Sequence, residues 1–593
     1  MSAINEVEDN EKEKNGPLIN EKEYYELSSK KIKLLYIATV GGVLLIVGLV
    51  SIIVVFNGGN SKSNESNPDN DNKTNNDTIP DDYDPYYYKN LTNYFSAKYQ
   101  SENGGIVNLF NEKYLDSIAS MFYNDRKINI SNTYNFTAGE HTVTIEFKKN
   151  LESTDEMFKN CYDLKTVFFT KFKTADIRNM SQMFSGCSGL TSINLTMFDT
   201  KKVTDMSHLF QGCSLMTDIN LENFDTSNVE NMEYMFYELA ELTSLNIKNF
   251  NTKNLKKIKF MFSKNFKLKK LETGNNFVIS GITDLSGLFS DCFVLPKIDI
   301  KFNDTSLTTN MSYLFNSCAK LTSIDLSNFD TSKVRNMSHM FSNCFVLENI
   351  DVSNFDTSNV EDMNNLFSTC SLIKEFNFKK FDTSKVKNMH SLFTRCRSLT
   401  SLDLSNFDTS QVTDMGEMFS MCSSLKNLDL SNFDTSNVKD ISFMFAAMTS
   451  LTSIDLTSFN TKKVTNIMHF FYGDNSLLSV DLSSFDTSNV KDMSAMFHGC
   501  SSLTELDLSN FDTSRVTNMI AIFIECKNLT YLDISGFSTE SLIEDSKYIY
   551  SGEYNGTLYY NSKKFNQNLM DEIFKNWDKI DVNLDSDLHY ILY

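Results

Sequence analysis

Proline is nearly missing from this chain of 593 residues, with 5 in all, and glycine is scarce at 21. A collagen-like or proline-rich rod is excluded on that ground. Cysteine does not occur before Cys161, which excludes an acylated cysteine near the N-terminus and with it a bacterial lipoprotein anchor. Positive charge is outnumbered: 55 Lys and Arg against 76 Asp and Glu give a formal net charge of -21. Such acidity repels phosphates, so no nucleic-acid partner is expected. The chain contains no C-x-x-C, H-E-x-x-H, nucleophile elbow, P-loop or dinucleotide fingerprint. The histidines within the repeats described below fall at mixed slots. We therefore expect no enzyme, no catalytic residues, no metal site and no cofactor.

What the chain has in quantity is 48 Phe and 26 Met. So many large apolar side chains need a core, yet the chain is too long for one ordinary globular core unless it is built from repeats.

One apolar stretch stands apart. Residues 34–56, "LLYIATVGGVLLIVGLVSIIVVF", carry no charge. At ~1.5 Å per residue they reach about 35 Å as a helix, enough to cross a bilayer. The run is too long for a signal-peptide core, and no A-x-A-like cleavage site follows it. Lys30, Lys31 and Lys33 precede it and only Lys62 follows closely, which places the N-terminus in the cytoplasm and the remainder outside the plasma membrane. Residues 1–33 then form a cytoplasmic tail. Residues 57–85 are polar, acidic and low in complexity, and read as a disordered linker.

The rest is dominated by repetition. The phenylalanine of "FDTS" recurs every 26 residues, with one step of 27 between Phe250 and Phe277 and one slipped anchor between Phe277 and Phe329, where Asn303 holds the slot with Phe302 beside it. In the unit Phe329–Asn354, "FDTSKVRNMSHMFSNCFVLENIDVSN", apolar residues at Val334, Met337, Met340, Phe341, Cys344 and Leu347 have helical spacing. Ile350 and Val352 alternate as in a short strand. Each unit is thus expected to run strand, turn, short helix and return. Asn336 and its equivalents are Asn or Asp in every unit except at Lys257, and would serve as helix N-caps. A single unit cannot offset its own ordering entropy, so neighbours must share a core. About 16 parallel strands, from Val143–Ile145 to Leu532–Ile534, are expected to form one long sheet.

All 11 cysteines share one slot, between Cys161 and Cys526. Their odd number argues against disulfides. So does the acceptance of Leu239 and Met448 in the same slot. Reduced, buried filler is the reading we adopt; Asn265 and Asp474 are irregular occupants.

Two acidic columns follow the strand. Asp330 and its equivalents in "FDTS" most simply form Asx turns. The outward strand residue is acidic in an unbroken run: Asp403, Asp429, Asp455, Asp481, Asp507 and Asp533. With strands ~4.8 Å apart these carboxylates form a line. They are the candidate ligand face. Binding of a cation such as Ca²⁺ competes with a solvated ladder held by flanking Ser and Thr.

The unit "LDLSNFDTSNVxDMSxMFxxCxSL" resembles the 26-residue repeat of BspA-like leucine-rich-repeat surface proteins, over roughly residues 141–540. The resemblance implies a cell-surface protein with adhesive or interaction roles and no known enzymatic activity. The expected architecture is an α/β solenoid, a leucine-rich repeat with a long parallel β-sheet on one face and short helices on the other, preceded by a transmembrane helix. A region over 86–140 would cap its N-terminal end and 541–593 its C-terminal end; Trp577, the sole tryptophan, lies in the latter. The expected function is recognition or adhesion toward a protein or glycan outside the cell. The alternative is a structural spacer or coat without a specific ligand.

Overall fold

The computed structural model describes residues 91–542, 555–566, 568 and 574–582. The expected tail, transmembrane helix and linker at 1–33, 34–56 and 57–85 lie outside the described residues. Among the described residues no helix is long and apolar enough to cross a membrane.

The N-terminal part is antiparallel. Strands β1 (Tyr94–Ser101), β2 (Gly105–Asn108), β3 (Ile118–Tyr123), β4 (Arg126–Ile128), β5 (Thr133–Phe136), β6 (Gly139–Phe147) and β7 (Leu164–Phe168) come first. Five of them form a sheet in the order β4-β3-β6-β1-β7, and β2 pairs with β5. In β1 the residues alternate strictly between buried and half-buried, as one covered face demands. Strand β7 occupies the strand slot of the first repeat and pairs antiparallel with β1. The sheet thereby covers the edge on which the solenoid would otherwise end. The segment Val143–Ile145, expected to open the parallel series, belongs to β6 and pairs antiparallel with β1 and β3.

From there the chain winds in coils of one repeat each. On the strand side, β8 (Ser192–Asn194) pairs parallel with β9 (Asp218–Asn220), and β10 (Ser244–Ile247) with β11 (Lys270–Thr273). A further parallel pair, β12 (Val278–Ser280) and β13 (Lys301–Asp304), lies one segment later in the coil. At the far end β14 (Glu505–Asp507), β15 (Tyr531–Asp533), β16 (Thr557–Tyr560) and β17 (Asp578–Asp581) form a four-stranded parallel sheet. Between Asp304 and Glu505 there is no regular strand. One long sheet is therefore not what holds the coils together.

The continuous ladder runs where helices were expected. Asn336 bridges in parallel to Asn310 on one side and Asp362 on the other, and such bridges run from Asp284 to Asn518. A shorter run joins Ser153 to Lys257. Among the described residues no bridge joins Lys257 to Asp284, the step that carries the extra residue and starts from the lysine in this slot.

In the segment Asn336–Cys344 the backbone N–H groups of Met337, His339, Phe341 and Asn343 donate to Asp362, Asn364, Leu366 and Ser368 of the next coil, at 3.0, 2.8, 3.0 and 2.8 Å. The intervening N–H groups of Met340, Ser342 and Cys344 close single turns onto Met337, His339 and Phe341. His339 and Asn343 have φ of 57° and 62°. Each such residue reverses the handedness of the chain, so it never winds into a helix. A left-handed residue costs roughly 1–2 kcal/mol, but an isolated two-turn helix would have left several N–H and C=O groups at its ends unpaired. The ribbon instead passes every second N–H to its neighbour. In four coils the second left-handed position is glycine; Gly499 has φ of 79°.

The inward side chains of this ribbon keep the order read from the sequence. Rings stack from Phe158 through Phe341 to Phe523, each successive pair with centroids 5.3–6.1 Å apart. The Thr of "FDTS" is buried, and its hydroxyl is bound twice by the next coil. Thr357 Oγ1 accepts from Asp382 N–H at 2.8 Å and donates to Asp382 C=O at 2.8 Å.

All 11 cysteines are buried and unbridged. They are more than filler. The Cys344 thiol donates to the Phe315 carbonyl of the preceding coil at 3.3 Å, and Cys370, Cys396 and Cys422 do the same to Phe341, Phe367 and Phe393. Burial pushes the Cys344 and Cys422 thiols up to about 12, far from reactive thiolate. Iodoacetamide at about pH 8 should therefore leave all 11 thiols unmodified in the folded protein and label all 11 in denaturant, as read by mass spectrometry. Rapid labelling without unfolding would contradict this packing.

Candidate functional site

The strand-side carboxylates are set by a local device. In each coil the outward aspartate accepts from the backbone N–H two residues on. The distances are 3.0 Å for Asp403 from Ser405 and for Asp429 from Ser431, 2.9 Å for Asp455 from Thr457, Asp481 from Ser483 and Asp507 from Ser509, and 2.8 Å for Asp533 from Ser535. The other two polar columns repeat the same turn. Asp356 accepts from Ser358 N–H and Asp362 from Asn364 N–H, both at 3.0 Å. Each such coil thus has three Asx turns, one at every corner.

Asp403, Asp429, Asp455, Asp481 and Asp507 are exposed, one per coil on successive coils, while Asp533 is half-buried. Hydrogen bonds from Ser405, Ser431, Thr457 and Ser483 hold the carboxyls of Asp403, Asp429, Asp455 and Asp481 below the usual carboxylate range. Partial burial raises that of Asp533, whose neighbour Tyr531 lies 5.4 Å from the Tyr559 ring. The predicted line of six is thus five open carboxylates and one set against a tyrosine pair.

Charge compensation separates this strip from Glu272 and Asp299 in the same column, though not from Asp325 and Asp351, whose carboxyls accept only from Ser327 and Ser353. Glu272, in the same slot, is met by Lys248 at 3.3 Å and Lys270 at 2.5 Å, and Asp299 by Lys297 at 2.5 Å. Among the described residues no ion pair reaches the six aspartates from Asp403 to Asp533. Nor do the described residues hold a group of three or more His, Cys, Asp or Glu placed to hold a metal ion.

Much of the remaining consensus polarity is spent on bonds between coils. Asn432 Nδ2 donates to the Leu404 and Phe407 carbonyls, and Asn437 Nδ2 to Ser410. The positions left to vary stand three and two residues before each aspartate. They include Thr400 and Ser401, Lys426 and Asn427, and Leu478, which is 55% exposed. Ser401 is legible in the sequence as a serine flanking the strip; the others show there only as departures from the consensus.

Buried columns stacked at a fixed period, with an exposed strand side, define a repeat solenoid of the leucine-rich-repeat kind. The chain belongs to the family described as "Mycoplasma protein of unknown function, DUF285", whose model matches residues 152–274, 268–376, 366–476 and 444–571. The model described as "BspA type Leucine rich repeat region (6 copies)" matches residues 108–191, in keeping with the resemblance read from the repeat unit. Neither description names a catalytic family. No curated protein matches the chain. Similar solved structures include a leucine rich cell surface protein from Faecalibacterium prausnitzii, at 16% identity and a TM-score of 0.29, covering 69% of this chain and 88% of that one. Another is the functional domain of InlJ from Listeria monocytogenes, described as including a cysteine ladder, at 15% identity and a TM-score of 0.19, covering 72% and 77%.

Proposed function

We propose that this is a cell-surface recognition or adhesion protein, anchored by residues 34–56 with its N-terminus in the cytoplasm, that engages a protein or glycan through the strand side from Asp403 to Asp533. The observation that carries the reading is the uncompensated carboxylate column, flanked by exposed positions that vary from coil to coil. A ligand that itself repeats would meet one contact per coil, and weak contacts in series multiply.

The test follows from the turn geometry. Alanine at these positions would remove both the charge and the acceptor that makes the corner. Asparagine keeps the acceptor: Asn194 Oδ1 accepts from Thr196 N–H at 3.0 Å in an earlier coil. Combined D429N, D455N and D481N should leave thermal stability close to wild type and reduce binding to host cells or matrix at least tenfold. Unchanged binding would favour the alternative, a spacer or coat. That alternative is supported by the number of consensus polar groups spent on joining coils.

A further inference from the structure

Two units place a polar side chain in the cysteine column, and one of them explains the other. In most units the thiol of one coil donates to a phenylalanine carbonyl 29 residues earlier; Cys500 does so to Phe471 at 3.2 Å. Asn265 keeps this pattern with its amide. Its Nδ2 donates to the Phe236 carbonyl at 2.9 Å, and to Phe262 at 2.6 Å. Its Oδ1 accepts from Leu239 N–H at 3.2 Å.

Asp474 occupies the same slot. Its Oδ1 accepts from Met448 N–H at 2.6 Å, as Asn265 Oδ1 does from Leu239. The second oxygen, Oδ2, is buried and has no partner. The matching carbonyl, Phe445, stands to Asp474 as Phe236 stands to Asn265, and among the described residues it receives no N–H or S–H. Two buried acceptors, Oδ2 and the Phe445 carbonyl, are thus left over at the places that the Asn265 Nδ2 donor and its Phe236 acceptor hold in the earlier coil. A single proton on Oδ2 satisfies both. Leaving both unsatisfied would incur the desolvation cost of each group with nothing to offset it.

We infer that Asp474 is a neutral carboxylic acid in the folded protein, that its Oδ2–H replaces the cysteine S–H on the Phe445 carbonyl, and that this coil is the alkali-sensitive joint of the solenoid. Asp474 is fully buried, and that burial raises its carboxyl well above the usual range. The titratable group facing it is the Cys500 thiol of the next coil, also raised by burial. On the preceding coil its counterpart is the apolar Met448. His469 and His498, on the same ribbons, stack instead on Phe443 and Tyr472.

The sign of the pH dependence follows. The unfolded chain loses this proton near pH ~3.9 and the folded chain keeps it to a higher pH. The stabilisation is fully present below about pH 3.9 and is lost as pH rises through the folded-state value. Within that window the opening constant of this coil rises about tenfold per pH unit.

The experiment compares the full chain with D474N, which copies Asn265, and D474C, which restores the thiol of neighbouring coils. Hydrogen exchange of the coil around Phe471 is measured from about pH 4 upward, corrected for intrinsic exchange. Wild type should open progressively relative to both variants, and its infrared spectrum near neutral pH should contain a protonated-carboxyl band that D474N lacks. Should D474N fail to fold, the comparison with D474C decides. Parallel profiles, or no such band, would mean an ionised Asp474 and would overturn the inference.

Discussion

Replacing Phe367 by alanine should destabilise its coil by about 3–5 kcal/mol. The ring is fully buried and lies 6.0 Å from Phe341, 6.1 Å from Phe393, 4.5 Å from Phe376 and 5.9 Å from Phe378. Its neighbours cannot close the gap, because backbone bonds pin their coils. Phe341 N–H donates to Leu366 at 3.0 Å and Phe367 N–H to Leu392 at 3.1 Å. The stability of such a stack is a sum of coil terms and neighbour terms, so the loss should be local. Native-state hydrogen exchange of the flanking coils should speed up by roughly a hundredfold or more, with smaller effects farther along. Lys380→Ala, at an exposed site in the same unit, should change stability by no more than about 0.5 kcal/mol. Equal costs for the two would contradict a close-packed ring stack.

The period, the buried columns and the outward aspartates were all legible in the letters, because a repeat prints each structural demand many times. The helices were not there, and the reason is instructive. Met337, Met340, Phe341 and Cys344 point inward at intervals of three, one and three. A helix produces that order, and so does a ribbon of turns separated by left-handed residues. What tells them apart is the residue before the cysteine. Gly186, Gly212 and Gly499 there, with Asn343 elsewhere, favour positive φ and would weaken a helix.

The strand was legible as alternation, but alternation reports which face is buried and not whether a ladder forms. Inside the candidate site, the exposure of Asp403 to Asp507 could be read, whereas the half-burial of Asp533 depends on Tyr531 and a later rung, which the repeat does not encode. The buried Thr357 was hidden because it sits in a polar run that reads as solvent-facing. The thiol's acceptor was hidden because it lies 29 residues away, a spacing that means nothing until the coil is known.

Deleting the 26 residues Phe329–Asn354 should leave a folded solenoid of nearly unchanged stability, while deleting only Phe329–Phe341 should break it in two. The longer deletion joins Asn328 to Phe355 and restores "SNFDTS" across the junction. Every column then meets an equivalent partner. Thr305, whose hydroxyl now donates to the Asp330 carbonyl at 2.9 Å, meets Asp356; Asn310, bridged to Asn336, meets Asp362; and the Phe315 carbonyl, bound by Cys344, receives Cys370. What is lost is one coil and one interface from a long series, together with the Arg335–Glu361 ion pair, which is exposed and worth little.

The shorter deletion removes less material and does far more harm. It runs the strand side straight into the end of a ribbon, so the coils on either side of the scar cannot share bonds or rings. Their apolar ends would be exposed to solvent, which thermal unfolding, hydrophobic dye binding and limited proteolysis near the scar all detect. Both deletions lie before Asp403, so the longer one also separates reach from recognition. A protein shortened by one coil that still binds its ligand in full is a binder with a local face. One that keeps its fold but loses surface behaviour in proportion to length is a spacer.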